Sequence, residues 1–222
     1  MHAIILAAGS SRRFGANKLL SLLNGRPLFS YALENALSCP EITDITVVTR
    51  YREIEEYIEK NVDILIRFGQ KTISVIHNPF ADEGISSSIR IGTSAVMDTK
   101  LHDEGTHLFG DASASSVIFM VADQPFLKKD TLCRLTASHT EAVKRETIPV
   151  ISMLCCGDMS GNPVIFTRDF LSELLMLKGD TGGKAVIKKA VSGDVKFFLN
   201  RVYTDDEKEL HDIDTKEDMI KS

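Results

Sequence analysis

Four short apolar runs rich in β-branched residues recur along the chain: AIILAA (3–8), DITVVT (44–49), ISVIHN (73–78) and SVIFMVA (116–122). Runs of this length and type suit strands buried on both faces, and their alternation with amphipathic stretches is the pattern of a parallel sheet covered by helices. Between them, PLFSYALENAL (27–37) sets Phe29, Leu33, Ala36 and Leu37 at helical spacing, and YREIEEYIEK (51–60) sets Ile54 and Ile58 four apart. Two more helices are predicted over about 86–96 and 129–143. The pattern then changes. TIPVISMLCC (147–156) and PVIFT (163–167) read as two strands joined by the Gly-rich turn GDMSGN. DFLSELLML (169–177) and GGKAVIKKA (182–190) read as short helices, and VKFFL (195–199) as a strand. LHDIDTKEDMI reads as a short strand ending in a helix capped by Asp214 or Thr215. No internal repeat or low-complexity linker interrupts the chain, so residues 1–222 are expected to form one α/β domain with a mixed sheet.

Several function classes drop out on composition. No apolar run approaches the roughly 18 residues of a membrane span, and the N-terminal apolar stretch has its arginines after it, the wrong order for a secretory signal. A net charge of −5 argues against coating nucleic acid or an anionic membrane. The four cysteines, Cys39, Cys133, Cys155 and Cys156, lack zinc spacing, which fits packing thiols in a reducing cytoplasm. The histidines form no H-x-x-x-H or triad-like group, and no G-x-S-x-G elbow is present.

What chemistry remains lies in loops. LAAGSSRRFGANK (6–18) follows the first strand; it is neither a P-loop nor a dinucleotide fingerprint. Its glycines Gly9 and Gly15 permit close backbone approach, and Arg12, Arg13 and Lys18 supply the positive charge a polyphosphate needs. A solvated basic turn is the competing account. Asp123 stands where the strand of VIFMVADQP ends; it suits either a turn cap or one of the one or two carboxylates that magnesium needs beside phosphates. In NPFADEGISSSIRIG (78–92), Ser86, Ser87 and Ser88 open a helix, as ordinary capping or as a polar-ligand site. SGNPVIF, with Gly161 and Asn162, and KGDTGGKA, with Gly182, Gly183 and Lys184, have the composition of binding loops, and the acids of LHDIDTKED offer a second metal contact through Asp212 or Asp214.

In this order, LAAGSSRRFGANKLL, NPFADEGISSSIRIG, VADQPFL, GNPVIF, KGDTGGKA and LHDIDTKEDM resemble the nucleotidyltransferases that build the dinucleotide form of the molybdenum cofactor, above all the molybdenum cofactor cytidylyltransferase group. The resemblance implies a Rossmann-like fold of the nucleotide-diphospho-sugar transferase type, with a mostly parallel mixed sheet and helices on both faces. It also implies Mg2+ as cofactor, CTP and the molybdenum-pterin cofactor as substrates, and a molybdenum hydroxylase or its chaperone as recipient. On this mapping Arg13, Lys18 and Asp123 are catalytic, and Asp123 and Asp214 hold the metal. Leu6, Ala7, Ala8, Gly9, Ser10, Ser11, Gly15, Asn78, Gly84, Ser86, Ser87 and Ser88 face the nucleotide; Gln124, Gly161, Asn162, Asp180, Gly182 and Gly183 face the acceptor. Ala122 replaces a usual glycine and Lys216 a common proline, departures that bear on fine specificity. The guanylyltransferase relatives carry LAGG where this chain has LAAG, which favours cytidine. Alternatives are a guanylyltransferase for the same cofactor, a sugar- or methylerythritol-phosphate cytidylyltransferase, and a non-catalytic carrier of the cofactor.

Overall fold

A computed structural model describes residues 1–11, 14–15, 17–66, 71–99, 116–193 and 196–220. In chain order the elements begin with β1 (His2–Ala7), a 3-10 turn (Lys18–Leu20), a small hairpin of β2 (Leu22–Leu23) and β3 (Arg26–Pro27), and α1 (Leu28–Ser38). Then come β4 (Asp44–Thr49), α2 (Arg52–Ile66), β5 (Thr72–His77), α3 (Ile85–Thr99), β6 (Val117–Val121) and α4 (Lys129–Arg145). The last part holds β7 (Val150–Cys156), β8 (Met159–Phe166), α5 (Leu171–Leu175), α6 (Gly183–Ser192), β9 (Phe198–Tyr203) and α7 (Lys216–Ile220).

Seven strands form one sheet in the order β5-β4-β1-β6-β8-β7-β9. Strand β8 runs antiparallel to both its neighbours, and the other pairs are parallel, as expected of a mostly parallel mixed sheet. The period-2 alternation of β1 divides its side chains between two cores: Ala3, Ile5 and Ala7 pack with Phe29, Leu33 and Leu135 on one face. Ile4 packs with Val48, Phe166, Leu174 and Ile187 on the other. The chain leaves β1 toward β4 and β5, then returns to place β6 on the opposite side of β1. That reversal opens a crevice at the carboxyl ends of β1 and β6, where doubly wound sheets bind ligands.

Some expectations need correction. LHDI (210–213) is not a strand: after a 3-10 turn over Glu207–Leu210, Ile213 N–H donates to the Asp123 carbonyl at 2.9 Å without the segment joining the described sheet. The following helix is capped by Thr215, whose N–H donates to Asp218 Oδ2 at 2.7 Å while Asp218 N–H returns to Thr215 Oγ1 at 3.4 Å. The predicted turn GDMSGN shrinks to Gly157 and Asp158, because Met159–Gly161 pair with β7; the register slips beyond Met153, and Asn162 falls in that irregularity. The last strand begins at Phe198, displaced from the run at 195–199, because pairing with Val150–Cys155 fixes its register. All four cysteines are free, with Cys155 buried and Cys156 partly exposed on opposite faces of β7. No described helix is long and apolar enough to cross a membrane.

Two buried groups far from the crevice hold the fold together. Lys71 donates to the Ala36 carbonyl at 3.0 Å and to the Cys39 carbonyl, closing the C-terminus of α1. His139 on α4 lies between Ser152 Oγ at 2.8 Å and Ser116 Oγ at 2.9 Å, and burial, with a smaller push from the N-terminal amine, lowers its pKa to about 4. A histidine kept neutral in the fold stabilises fully above its unfolded pKa of about 6.5, and that contribution falls as pH drops toward 4. The loss is expected to be on the order of 3 kcal/mol. Urea unfolding at pH 7 and pH 4 should show it in the wild type, and His139→Gln should narrow the gap. An equal gap in both proteins would remove His139 as its source.

Candidate active site

The loop after β1 is held from behind. Thr49 Oγ1 donates to the Ala7 carbonyl at 3.0 Å, and the Tyr51 hydroxyl donates to the Gly9 carbonyl at 2.6 Å. In a trans peptide the N–H points opposite to the preceding C=O, so these bonds aim the Ala8 and Ser10 N–H groups away from β4. Ala8, Gly9 and Ser10 line a cavity of about 510 Å³ at the crevice, with Leu6 and Val121, neighbours in register on β1 and β6. That volume lies in the usual range for small-ligand sites. Ser11 has φ +50° and its hydroxyl accepts from Lys18 N–H at 3.3 Å, turning the chain back under the cavity. Gly15, at φ +75°, continues the turn in a backbone conformation that favours glycine. Arg13 lies outside the described residues.

Lys18 opens a 3-10 turn capped by Asn17, whose Oδ1 accepts from Leu19 N–H at 3.1 Å. Only 6% exposed, its ammonium is 2.8 Å from Asp123 Oδ2, 3.0 Å from Asp214 Oδ1 and 2.7 Å from the Ile213 carbonyl. Burial works against that charge, but Asp123 and Asp214 outweigh it and raise the Lys18 pKa above the ordinary lysine value. The two acids, 91 residues apart in sequence, thus meet at the Lys18 ammonium; Lys18 and Asp123 line the cavity, and Asp214 approaches from outside it. Backbone bonds fix the place: Ala122 N–H donates to the Leu6 carbonyl at 3.1 Å, and Ile213 N–H to the Asp123 carbonyl at 2.9 Å. Asp212 stands beside them. Burial first, then the charge of Asp123, pushes its carboxyl up to about 6, against a hydrogen bond from Gln124.

A cation fits this donor set. The point between Asp123 Oδ2 and Asp214 Oδ1 is taken by the Lys18 ammonium, so Mg2+ would bind beside it, using one or two carboxylate oxygens at the edge of a cavity able to admit phosphate oxygens and water. Among the described residues no three His, Cys, Asp or Glu side chains form a metal cage, so most of its shell would come from substrate and water.

The serine segment divides its labour. Asn78 is buried, its amide donating to Ser87 Oγ at 3.0 Å and Ser88 Oγ at 2.8 Å and accepting from Phe80 N–H at 2.8 Å. Ser86 accepts from Arg90, and Ser87 donates to the Gly84 carbonyl. Asn78, Ser86 and Ser87 therefore build the loop, while Gly84 and Ser88 line the cavity. Of the residues expected at the acceptor, Asp180 lines this same cavity. Gln124 is buried, donating to the Leu210 carbonyl at 3.1 Å, and so braces the segment that carries Asp212 and Asp214. Gly161 lies against Leu210, Asn162 falls in the irregular part of β8, Gly182 approaches Ile85, and Gly183 packs on the Phe166 ring. Thr49 and Tyr51 were invisible as site residues in sequence. Their only signal is their place at the end of β4, beside β1.

A profile of the MobA-like NTP transferase domain matches residues 3–195. The chain belongs to this family. A relative along nearly its whole length is the purine catabolism protein PucB of Bacillus subtilis, 30% identical over 221 residues, 98% of this chain and 94% of that one. A probable molybdenum cofactor guanylyltransferase of Thermococcus kodakarensis is 28% identical over 174 residues, 78% of this chain and 71% of that one. Among solved structures, molybdopterin-guanine dinucleotide biosynthesis protein A of Archaeoglobus fulgidus shares the fold, with a TM-score of 0.60 and 15% identity over 100% of this chain and 96% of that one. The family makes this a nucleotidyltransferase. Its loop, cavity and carboxylates sit where the MobA-like fold opens at the ends of β1 and β6.

Proposed function

We propose that this nucleotidyltransferase moves CMP from CTP to the terminal phosphate of the molybdenum-pterin cofactor. An acceptor phosphate oxygen forms a bond to the α-phosphorus, the bond from that phosphorus to the bridging oxygen breaks, and pyrophosphate leaves. The attacking oxygen is already ionised, so no base is required. The observation that carries the reading is that Lys18 and Asp123, on the wall of a cavity lined by the β1 loop, are joined there by Asp214 through the Lys18 ammonium. A carrier has no need of Asp123 and Asp214 serving one metal, whereas a transferase does, so Mg2+-dependent turnover separates the two.

In this reading the N–H groups of residues 8–11 cradle the triphosphate, and Lys18, with Arg13 assigned by the family resemblance, balances the charge that shifts to pyrophosphate. Asp123 and Asp214 would hold Mg2+, which supplies charge stabilisation and orientation for phosphate oxygens. Asp180 and Gly84 shape the wall of the cavity, and Gly161, Asn162, Gly182 and Gly183 remain assigned to the acceptor side. The finished dinucleotide would pass to a molybdenum hydroxylase or its chaperone in the cytoplasm, a setting in keeping with four free thiols.

The choice of base rests on Ala8, a residue of the cavity lining at the position where, on the family resemblance, the guanylyl relatives carry glycine. The Ala8 methyl is expected to crowd a purine, and discrimination by size is worth about 1–3 kcal/mol, roughly 10- to 200-fold. With CTP and GTP at equal concentration, the cytosine dinucleotide should dominate, and Ala8→Gly should raise GTP use without abolishing CTP use. An equal or greater yield of the guanine product from wild-type protein would sink the assignment. It would favour the guanylyl reading suggested by the Thermococcus relative's name.

A further inference from the structure

Two walls of the cavity come from segments far apart in the chain. One carries Gly84 and Ser88 at the start of α3; the other carries Asp180, just before α6. They meet along a backbone seam. Gly84 has φ +100°, and a Cβ there would lie 2.5 Å from the Gly179 carbonyl oxygen and 2.7 Å from Asp180 N. Across the seam Ser86 N–H donates to the Gly179 carbonyl at 3.3 Å, a long bond.

Arg90 stands behind this seam, five residues into α3 from Ile85. One nitrogen, Nη1, donates to Ser86 Oγ at 3.1 Å and to the Leu177 carbonyl at 2.8 Å; the other, Nη2, donates to Glu83 Oε2 at 3.0 Å. Nη1 therefore bridges the two segments, while Nη2 ties the guanidinium to Glu83; the fixed spacing of the two nitrogens meets all three acceptors together, a geometry that lysine's single ammonium does not reproduce. Apolar packing of Ile89 with Leu174 and Leu177 supports the two segments from below, and at the seam itself the polar ties are Arg90 and the long Ser86–Gly179 bond.

We infer that Arg90 is a positioning residue that locks the Gly84–Ser88 wall to the Gly179–Asp180 wall and so sets the width of the cavity. The inference rests on the nucleotide reading above for its link to reaction, but the lock itself is a property of the free protein. Arg90 is set apart from Lys18 and Asp123, which belong to the β1 and β6 side, so its loss should loosen substrate binding more than it slows the chemical step. Misplacement on the scale of an ångström is enough to matter in a substrate-positioning wall.

Hydrogen exchange on the nucleotide-free protein tests the lock. Arg90→Met should speed exchange of the amides in 84–88 and 177–180 together, by roughly tenfold or more, since the charge-assisted bonds to Glu83 and Ser86 on one side and to Leu177 on the other are all lost. Arg90→Lys should restore only part of the protection. Faster exchange in neither segment, or in α3 alone, would overturn the proposal. Steady-state kinetics add the functional arm: Arg90→Met should raise the triphosphate KM roughly tenfold with kcat within about threefold, because the lost interaction acts on binding. A kcat loss with unchanged KM would also overturn it. If wild-type protein binds neither CTP nor GTP, the nucleotide reading fails, while exchange still decides whether Arg90 joins the two walls. Should Arg90→Met not fold, Glu83→Gln removes the charge facing Nη2 and should speed exchange at both segments to a smaller extent.

Discussion

Asp123→Asn is expected to lower turnover by two or more orders of magnitude while leaving the fold in place. The substitution preserves shape, and the bonds that set this position are made by backbone, from Ala122 N–H to Leu6 and from Ile213 N–H to the Asp123 carbonyl. What changes is charge. The Asp123 carboxylate lies 2.8 Å from the Lys18 ammonium, beside Asp214, which is 3.0 Å from the same atom. An amide there leaves Lys18 with one carboxylate and removes one of two protein oxygens available to Mg2+. A catalytic metal supplies several kcal/mol of charge stabilisation, and about 1.4 kcal/mol corresponds to each factor of ten in rate. Turnover at saturating magnesium and triphosphate measures the loss, with thermal unfolding as control. A variant retaining more than half of wild-type turnover would rule out the metal-binding role.

The sheet was legible because its central strands are buried on both faces. β1, β4 and β6 lie within a residue or two of the apolar runs that announced them; β5 does too, although it is the edge strand and none of its residues is fully buried, and α1 to α4 follow the amphipathic stretches. The misreadings come where pairing partners decide. LHDI has the composition of a strand, yet its neighbour is a loop offering one carbonyl, that of Asp123. The β2–β3 hairpin had a local signal that went unread: Asn24 and Gly25, at φ +50° and +80°, are the pair that two-residue turns favour.

The site divides in the same way. Lys18, Asp123 and Asp214 were legible by charge and by their place at the ends of elements, but their meeting required the 211–214 segment to lie against the loop after β6. Asn78, Ser86 and Ser87 carry the polar signal of a binding loop, and in the fold Asn78 donates to Ser87, Ser87 to the Gly84 carbonyl and Arg90 to Ser86, contacts that shape the loop. Tyr51 and Arg90 gave no local signal. Each acts on a partner set by topology, Gly9 across 42 residues and Leu177 across 87.

Lys18→Met should cost about 100-fold or more in turnover, the scale seen when one preorganised stabilising group is removed from an active site. Methionine keeps much of the unbranched stem that fills the space beneath the β1 loop, so packing is nearly conserved. The ammonium is the part lost, and with it the bonds to Ile213, Asp214 and Asp123 at 2.7, 3.0 and 2.8 Å. Two carboxylates then face one another without the charge between them. Asp214 is half exposed, with 51% of its side chain accessible, so water can hydrate it and the fold should survive. The reaction has no such remedy, since the charge that develops on departing pyrophosphate needs a fixed cation in a place where water is a poorer substitute. The measurement pairs single-turnover rates with triphosphate affinity. A slow rate with intact secondary structure is the expected result; an unchanged rate together with unchanged affinity would return Lys18 to a purely structural tie between the β1 loop and the 211–214 segment.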